Sequence, residues 1–235
     1  MLTLRKADDR GHTDLGWLSS FHTFSFGGYN DPNHMGFRSL RVLNDDRVAP
    51  GKGFGAHGHR DMEILSYVIT GKLAHKDSMG EHHELGPNEV QAMSAGTGVI
   101  HSEFNGVNDA ETHFLQIWIV PNAKGLKPSY QQFEYAEAEK RGVLRLMAGP
   151  DRGSTPPAAF INQDARMYAS MLADGQTLEL PVAPGRYAWV HCVQGAIDVN
   201  GVAMYGGDGL AVSDERALTI RGGAGGGELL LFDLA

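Results

Sequence analysis

Two pairs of side chains in this 235-residue sequence are spaced for chemistry. In Gly51-Lys52-Gly53-Phe54-Gly55-Ala56-His57-Gly58-His59-Arg60-Asp61-Met62-Glu63, one residue separates His57 from His59. A β-strand sends residues i and i+2 to the same face, so an extended segment here presents two imidazoles side by side. The second pair, His101 and Glu103, lies in Ala95-Gly96-Thr97-Gly98-Val99-Ile100-His101-Ser102-Glu103-Phe104-Asn105. Two neighbouring strands with one such pair each can place three ring nitrogens and one carboxylate around a point inside a barrel. That donor set suits a first-row divalent metal: imidazole binds iron, nickel, copper and zinc, and the carboxylate adds a hard oxygen. Four protein ligands leave one or two octahedral positions for water, oxygen or substrate. A single His-x-His is usually a surface or turn feature; the second pair turns the reading toward a metal.

Strands must position these pairs, and the rest of the chain reads as strands. Ser39-Leu40-Arg41-Val42-Leu43, Ile64 to Ile69 and Phe114 to Val120 are short apolar or alternating runs, with Gly71, Met79-Gly80 and Gly86-Pro87-Asn88 as turns between them. Glycine, 31 of the residues, is about twice its usual share of ~7% and punctuates these runs as in hairpin-rich chains. The best helical candidate is Tyr130 to Arg141, ending at Gly142. Pro150 to Pro157 is rich in breakers and reads as a surface connection. Strand patterns resume at Tyr168–Leu172, Tyr187–Val193, Ile197–Val199, Gly209–Val212 and Leu229–Leu234. Ala224 to Gly227, inside the run Gly222 to Gly227, reads as a hairpin loop. Val68-Ile69-Thr70-Gly71 parallels Cys192-Val193-Gln194-Gly195 as an apolar run followed by a glycine turn, and Gly86-Pro87-Asn88 parallels Gly206-Gly207-Asp208. This weak internal repeat predicts an all-β chain of two similar barrel or sandwich lobes with few short helices.

Bulk properties exclude several classes. Asp plus Glu number 28 against 20 for Lys plus Arg, a net charge of −8, which argues against a generic nucleic-acid binder. No apolar run reaches the ~18–20 residues of a membrane span. Charges near the N-terminus, Arg5-Lys6-Ala7-Asp8-Asp9, break up any signal-peptide core. One cysteine, Cys192, allows neither an internal disulfide nor a Cys-rich metal site and reads as a small hydrophobe; a reducing cytoplasm is the expected compartment.

The glycine–histidine stretches carry a resemblance. Gly51 to Glu63 follows the first cupin motif, Gly-x5-His-x-His-x3-Glu, and Gly98 to Asn105 follows the end of the second, Gly-x2-His-x3-Asn. Within the cupins the chain resembles the pirin family, and among pirins the bacterial proteins assigned quercetin 2,3-dioxygenase activity. The resemblance runs through Leu4-Arg5-Lys6-Ala7, His22-Thr23-Phe24-Ser25-Phe26, Gly36 to Asp46, His101-Ser102-Glu103 and Gln116-Ile117-Trp118-Ile119. It implies a bicupin fold of two antiparallel, jelly-roll-like β-barrels packed together. It also implies one metal in the first barrel, held by His57, His59, His101 and Glu103. The expected division is 1–121 for that barrel, 122–160 for a connecting segment and 161–235 for a second lobe without metal ligands. The repeat sets Pro181 and Ala183 opposite His57 and His59, and Arg221 and Gly223 opposite His101 and Glu103. Gly96-Thr97-Gly98 replaces the second motif's usual Pro-x-Gly, which predicts a looser turn. Iron is the first expectation for the metal, with nickel, manganese, copper, cobalt and zinc as alternatives.

Other residues have plainer readings. Glu63, the ligand in many other cupins, is expected beside the ligands or in a structural role. His22 and Phe54 are expected near or in a substrate pocket, which Phe24, Phe26, Tyr29 and Met35 could also line. His75, His82, His83 and His34 lie on or near hairpins and are expected to be mostly exposed. His113 and His191 are expected to be structural.

The resemblance implies a dioxygenase that opens the flavonol ring of quercetin, or a similar small aromatic, with molecular oxygen and releases carbon monoxide. The flavonol's 3-hydroxyl and 4-carbonyl would take the open metal positions, and Glu103 would be the catalytic carboxylate that accepts the hydroxyl proton. The alternative is a non-enzymatic metal-binding regulator acting through protein partners. A non-redox cupin such as a sugar isomerase would prefer zinc and a polar pocket, which the aromatic residues here disfavour.

Overall fold

In a computed structural model describing residues 1–235, the glycine-punctuated runs become twenty strands and two short 3-10 turns. The first stretch comprises β1 (Leu2–Arg5), β2 (Gly11–Asp14), β3 (Leu18–His22), β4 (Leu40–Val48), β5 (Gly53–His59) and β6 (Glu63–Thr70). It continues with β7 (Leu73–Asp77), β8 (His82–Leu85), β9 (Glu89–Ser94), β10 (Val99–Asn105), β11 (Thr112–Ile119) and β12 (Ser129–Glu134). After these come β13 (Arg145–Gly149), β14 (Ala159–Phe160), β15 (Ala165–Leu172) and β16 (Thr177–Pro181). The last four are β17 (Tyr187–Val199), β18 (Val202–Tyr205), β19 (Gly209–Val212) and β20 (Ala217–Leu234). No helix is long and apolar enough to cross a membrane.

The chain sorts into two compact units that interleave along the sequence. One takes Gly11–Tyr135 and Asp151–Gln163; the other takes Met1–Arg10, Ala136–Pro150 and Asp164–Ala235. The expected cuts at 121 and 160 differ from this. Strand pairing overrides sequence order: β1 pairs with β19, and β12 pairs with β9.

In the first unit, an antiparallel sheet of order β12-β9-β6-β11-β4-β3-β2 faces one of order β5-β10-β7-β8. Both sheets contribute to each of two apolar clusters. Leu18, Val48, Val68 and Phe114 from the larger pack with Leu73 and Leu85 from the smaller, and Ile64 and Met93 pack with Val99. This is the two-layer closure that buries the inward half of each alternating strand.

In the second unit, β1-β19-β17-β20-β15-β13 lie in order, with β16 on β20 and β18 on β17. Its interior is apolar: Val190, Cys192, Ile197, Met204, Leu218, Ile220 and Leu229 belong to one buried cluster. Burial pushes the Cys192 thiol up to about 12, so it packs as a hydrophobe. Pro181 pairs with Ala217 and Arg221 with Thr177, so the two correspondences expected from the repeat do not share one register.

Three local readings are corrected. Tyr130 to Arg141 is not a helix: its first part is β12, hydrogen-bonded along β9, and only Glu137–Lys140 makes a 3-10 turn. Ala224 to Gly227 is not a loop: the whole run from Gly222 to Gly227 lies within β20. A Cβ on Gly222 would collide with the Ala173 carbonyl, and one on Gly227 with the Ala196 carbonyl, so these glycines serve close backbone approach. Gly195, expected to turn the chain, takes φ 74 inside β17, where the register against β20 shifts. It is a bulge residue.

Candidate metal centre

The site is built on the antiparallel pair β5–β10. His57 stands opposite His101, and His59 opposite Val99. Along β10, burial alternates so that Val99, His101, Glu103 and Asn105 face inward. The register against β5 shifts between His101 and Glu103, setting Glu103 opposite Phe54. Gly53 permits the close approach there, since a Cβ would strike the Glu103 carbonyl. The turn before β10 is closed rather than loose. Gly96 has φ 45, the Thr97 amide donates to the Leu126 carbonyl at 2.9 Å, and the Gly98 amide donates to Ala95 at 2.8 Å.

The rings of His57, His59 and His101 converge, with centroids 4.5–4.8 Å apart. Their ligand atoms lie within 4.8 Å of one another. The Nδ1 of His57 donates to the Gly55 carbonyl at 2.8 Å, which leaves its Nε2 available to coordinate. The Nε2 of His101 is buried without a hydrogen-bond partner, an arrangement that a coordinated cation would satisfy. Burial and the neighbouring imidazoles push His59 down to about 4 and His101 down to about 2. Both rings are therefore neutral at pH 7, the form a metal needs. These residues fit a divalent transition metal.

Glu103 lies outside that three-imidazole set but lines the same cavity, and its carboxylate groups with His101 and His75 within 4.8 Å. It is 2% exposed and accepts from Gln116 Nε2 at 2.7 Å and from Gln91 Nε2 and Ser66 Oγ at 3.3 Å. Burial raises its pKa, opposed by the nearby histidines and by the Gln91 and Ser66 hydrogen bonds. The donors hold the carboxylate in one orientation while leaving it a strong acceptor.

The cavity, about 180 Å³, has His57, His59 and Glu103 on one side and Phe26, Phe54 and Trp118 among its apolar walls. His22 and Phe54 both line it, as do Ser20, Asn44, Asp46 and Gln116. Thr13 donates to His22 Nε2 at 2.9 Å, and His22 Nδ1 donates to Asn44 at 2.9 Å. Ser20 donates to Asp46, whose carboxyl is pushed up to about 7 by burial. Glu63 is buried but turned to other partners: it accepts from Ser94 at 2.8 Å and Asn162 at 3.2 Å and does not line the cavity. Met35 is 46% exposed and is not a wall of the cavity.

His75 corrects an expectation. It is 1% exposed, not a solvent-facing hairpin residue. On β7, Leu73, His75 and Asp77 form the inward set, a parity visible in Leu73-Ala74-His75-Lys76-Asp77. His82 is exposed, and His83 stacks on Tyr130 with centroids 4.8 Å apart. Gln91 and Gln116, also unforeseen, were signalled only as polar residues inside apolar runs.

Comparisons with known proteins relate the chain to pirins and quercetin dioxygenases. The family model described as Pirin matches residues 3–119, and that for a quercetinase C-terminal cupin domain matches residues 146–234. A quercetin 2,3-dioxygenase from Escherichia coli is 43% identical, covering 100% of this chain and 99% of that protein. A pirin-like protein from Caulobacter vibrioides is 36% identical, covering 100% of both chains. Among solved structures, the bacterial pirin YhhW from Escherichia coli in complex with nickel(II) is 43% identical with a TM-score of 0.93. That match covers 100% of this chain and 99% of the other.

Proposed function

This chain belongs to the pirin family, and from that premise we propose that it is a metal-dependent dioxygenase that opens the ring of quercetin or a similar flavonol with release of carbon monoxide. The observation that carries the reading is the convergence of three imidazoles beside a buried carboxylate in an aromatic-walled cavity. The proposed ligands are His57, His59, His101 and Glu103. When bound, a divalent transition metal would supply Lewis acidity to a coordinated hydroxyl and a site for oxygen chemistry. Iron is the proposed ion; the Escherichia coli relative was solved with nickel(II).

The chain's own residues do the rest. Phe26, Phe54 and Trp118 exclude water and offer flat apolar contact to a planar ring system. Glu103, raised in pKa by burial, accepts the flavonol hydroxyl proton. Gln116 and Gln91 hold that carboxylate in place. The regulator reading has no comparable support, since the full-length relative carries an enzyme's name. The proposed compartment is the cytoplasm, because the lone buried thiol calls for no oxidising environment.

The test is carbon monoxide release and oxygen uptake with quercetin. Metal-loaded wild type should turn over, and His57→Ala should lose at least tenfold. Glu103→Gln should keep part of the metal affinity through its amide oxygen and lose more turnover than binding. Equal rates in wild type and His57→Ala, or none in the loaded wild type, would overturn the dioxygenase reading.

A further inference from the structure

Behind His101 stand two buried side chains that the proposed chemistry does not use. The Nδ1 of His101 lies 3.5 Å from the Nδ1 of His75. The Nε2 of His75 lies 3.2 Å from Asp77 Oδ2, and both of those side chains are 0% exposed. The other oxygen of Asp77 accepts from the backbone amides of Met79 at 2.8 Å and Glu81 at 3.1 Å. Those amides pin the carboxylate in orientation.

With Asp77 a carboxylate and His75 neutral, one assignment of protons gives each hydrogen bond in this row a donor and an acceptor. An ionised Asp77 only accepts, so His75 carries its proton on Nε2 and donates it there. The Nδ1 of His75 is then a lone pair, and the His101 ring facing it must carry its proton on Nδ1. That leaves the His101 Nε2, buried and without a hydrogen-bond partner, as a bare lone pair. We propose that Asp77 and His75 are positioning residues, a buried relay that fixes the His101 tautomer so that Nε2 is ready to coordinate. The role of the relay rests on the metal reading above; the tautomer itself does not.

The relay makes a counter-intuitive substitution informative. In Asp77→Asn, Oδ1 can keep its backbone amides while an amide N–H replaces the acceptor facing His75. His75 must then accept at Nε2 and carry its proton on Nδ1, which forces the His101 proton to Nε2. An orienting carboxylate replaced by an amide selects the wrong tautomer in this way. His75→Gln should preserve the wild-type pattern, since its carbonyl accepts from His101 and its amide donates to Asp77.

The experiment uses the full chain in two states. In metal-free protein, long-range nitrogen–proton NMR reads the His101 tautomer. Nickel(II) competition titration then reads affinity, with thermal unfolding confirming that each variant folds. Wild type and His75→Gln should show His101 protonated on Nδ1, and His75→Gln should bind nickel within about threefold of wild type. Asp77→Asn should show His101 protonated on Nε2 and bind at least tenfold more weakly, the usual scale for an outer partner of a ligand. A wild-type His101 protonated on Nε2, or an Asp77→Asn variant with unchanged tautomer and affinity, would overturn the relay. An Nδ1-protonated His101 in wild type that nonetheless fails to bind nickel would uphold the relay and sink the metal reading.

Discussion

Two kinds of titratable group at the site pull stability in opposite directions with pH. Asp46 is pushed toward its neutral form: burial raises its carboxyl from 3.8 up to about 7. A raised folded pKa means the native state binds the proton more tightly. That contribution is complete below about pH 4 and is lost as pH rises through 7. A shift of roughly three units corresponds to about 4 kcal/mol. His59 and His101 are pushed down instead, so their contribution is lost as pH falls below their usual 6.5. The difference between wild type and Asp46→Asn isolates the carboxyl. In metal-free protein, the variant should match wild type near pH 4 and become the more stable by a few kcal/mol at pH 8. Urea unfolding across that range measures it, and a pH-independent difference would show that Asp46 is ionised in the folded state.

At the scale of the element, the ligand-bearing strand depends on the turn that launches it. Gly96 takes a left-handed φ of 45, and a Cβ there would run into the Leu126 carbonyl. Gly96→Ala should therefore cost about 1–3 kcal/mol of strain or more, lowering Tm by roughly 3–10 °C. Gly55, two residues before His57, has open space at its Cβ position and no left-handed φ. Gly55→Ala should fall within about 0.5 kcal/mol of wild type. Differential scanning calorimetry of the two variants distinguishes a conformational requirement from a general dislike of alanine in this glycine-rich stretch. Equal losses at both positions would count against the turn argument.

For the molecule as a whole, the question is whether the metal holds the fold together. The apolar clusters of the first unit, Leu18, Val48, Phe114 and their neighbours, include none of the proposed ligands. The second unit has its own apolar interior. Chelation should leave the β-type circular dichroism and cooperative unfolding intact. It should lower Tm only by the binding contribution, about 2.7 kcal/mol at a metal concentration a hundredfold above Kd, or roughly 5–11 °C. Loss of cooperative unfolding on chelation would make the ion structural, as in zinc fingers.

The sequence by itself determined what depends on spacing along one strand. His57-x-His59 and His101-x-Glu103 each share a face because strand geometry has a period of two, whatever surrounds it. The all-β class followed from the same periodicity and from glycine punctuation. Only the tertiary structure decided what depends on which strand lies beside which. His75 and Asp77 showed the right parity, but β7 had to pair with β10 before they stood behind His101. Gln116 and Gln91 carried no sequence reading as site residues; β11 and β9, flanking β6, turn them toward Glu103. Glu63, with a motif position in its favour, went to Ser94 and Asn162. The five glycines between 222 and 227 looked like slack, yet most were required by neighbouring backbone. The physical reason is the same throughout: parity is a local property of extended backbone, whereas neighbours across a sheet are set by long-range pairing that no short window of sequence contains.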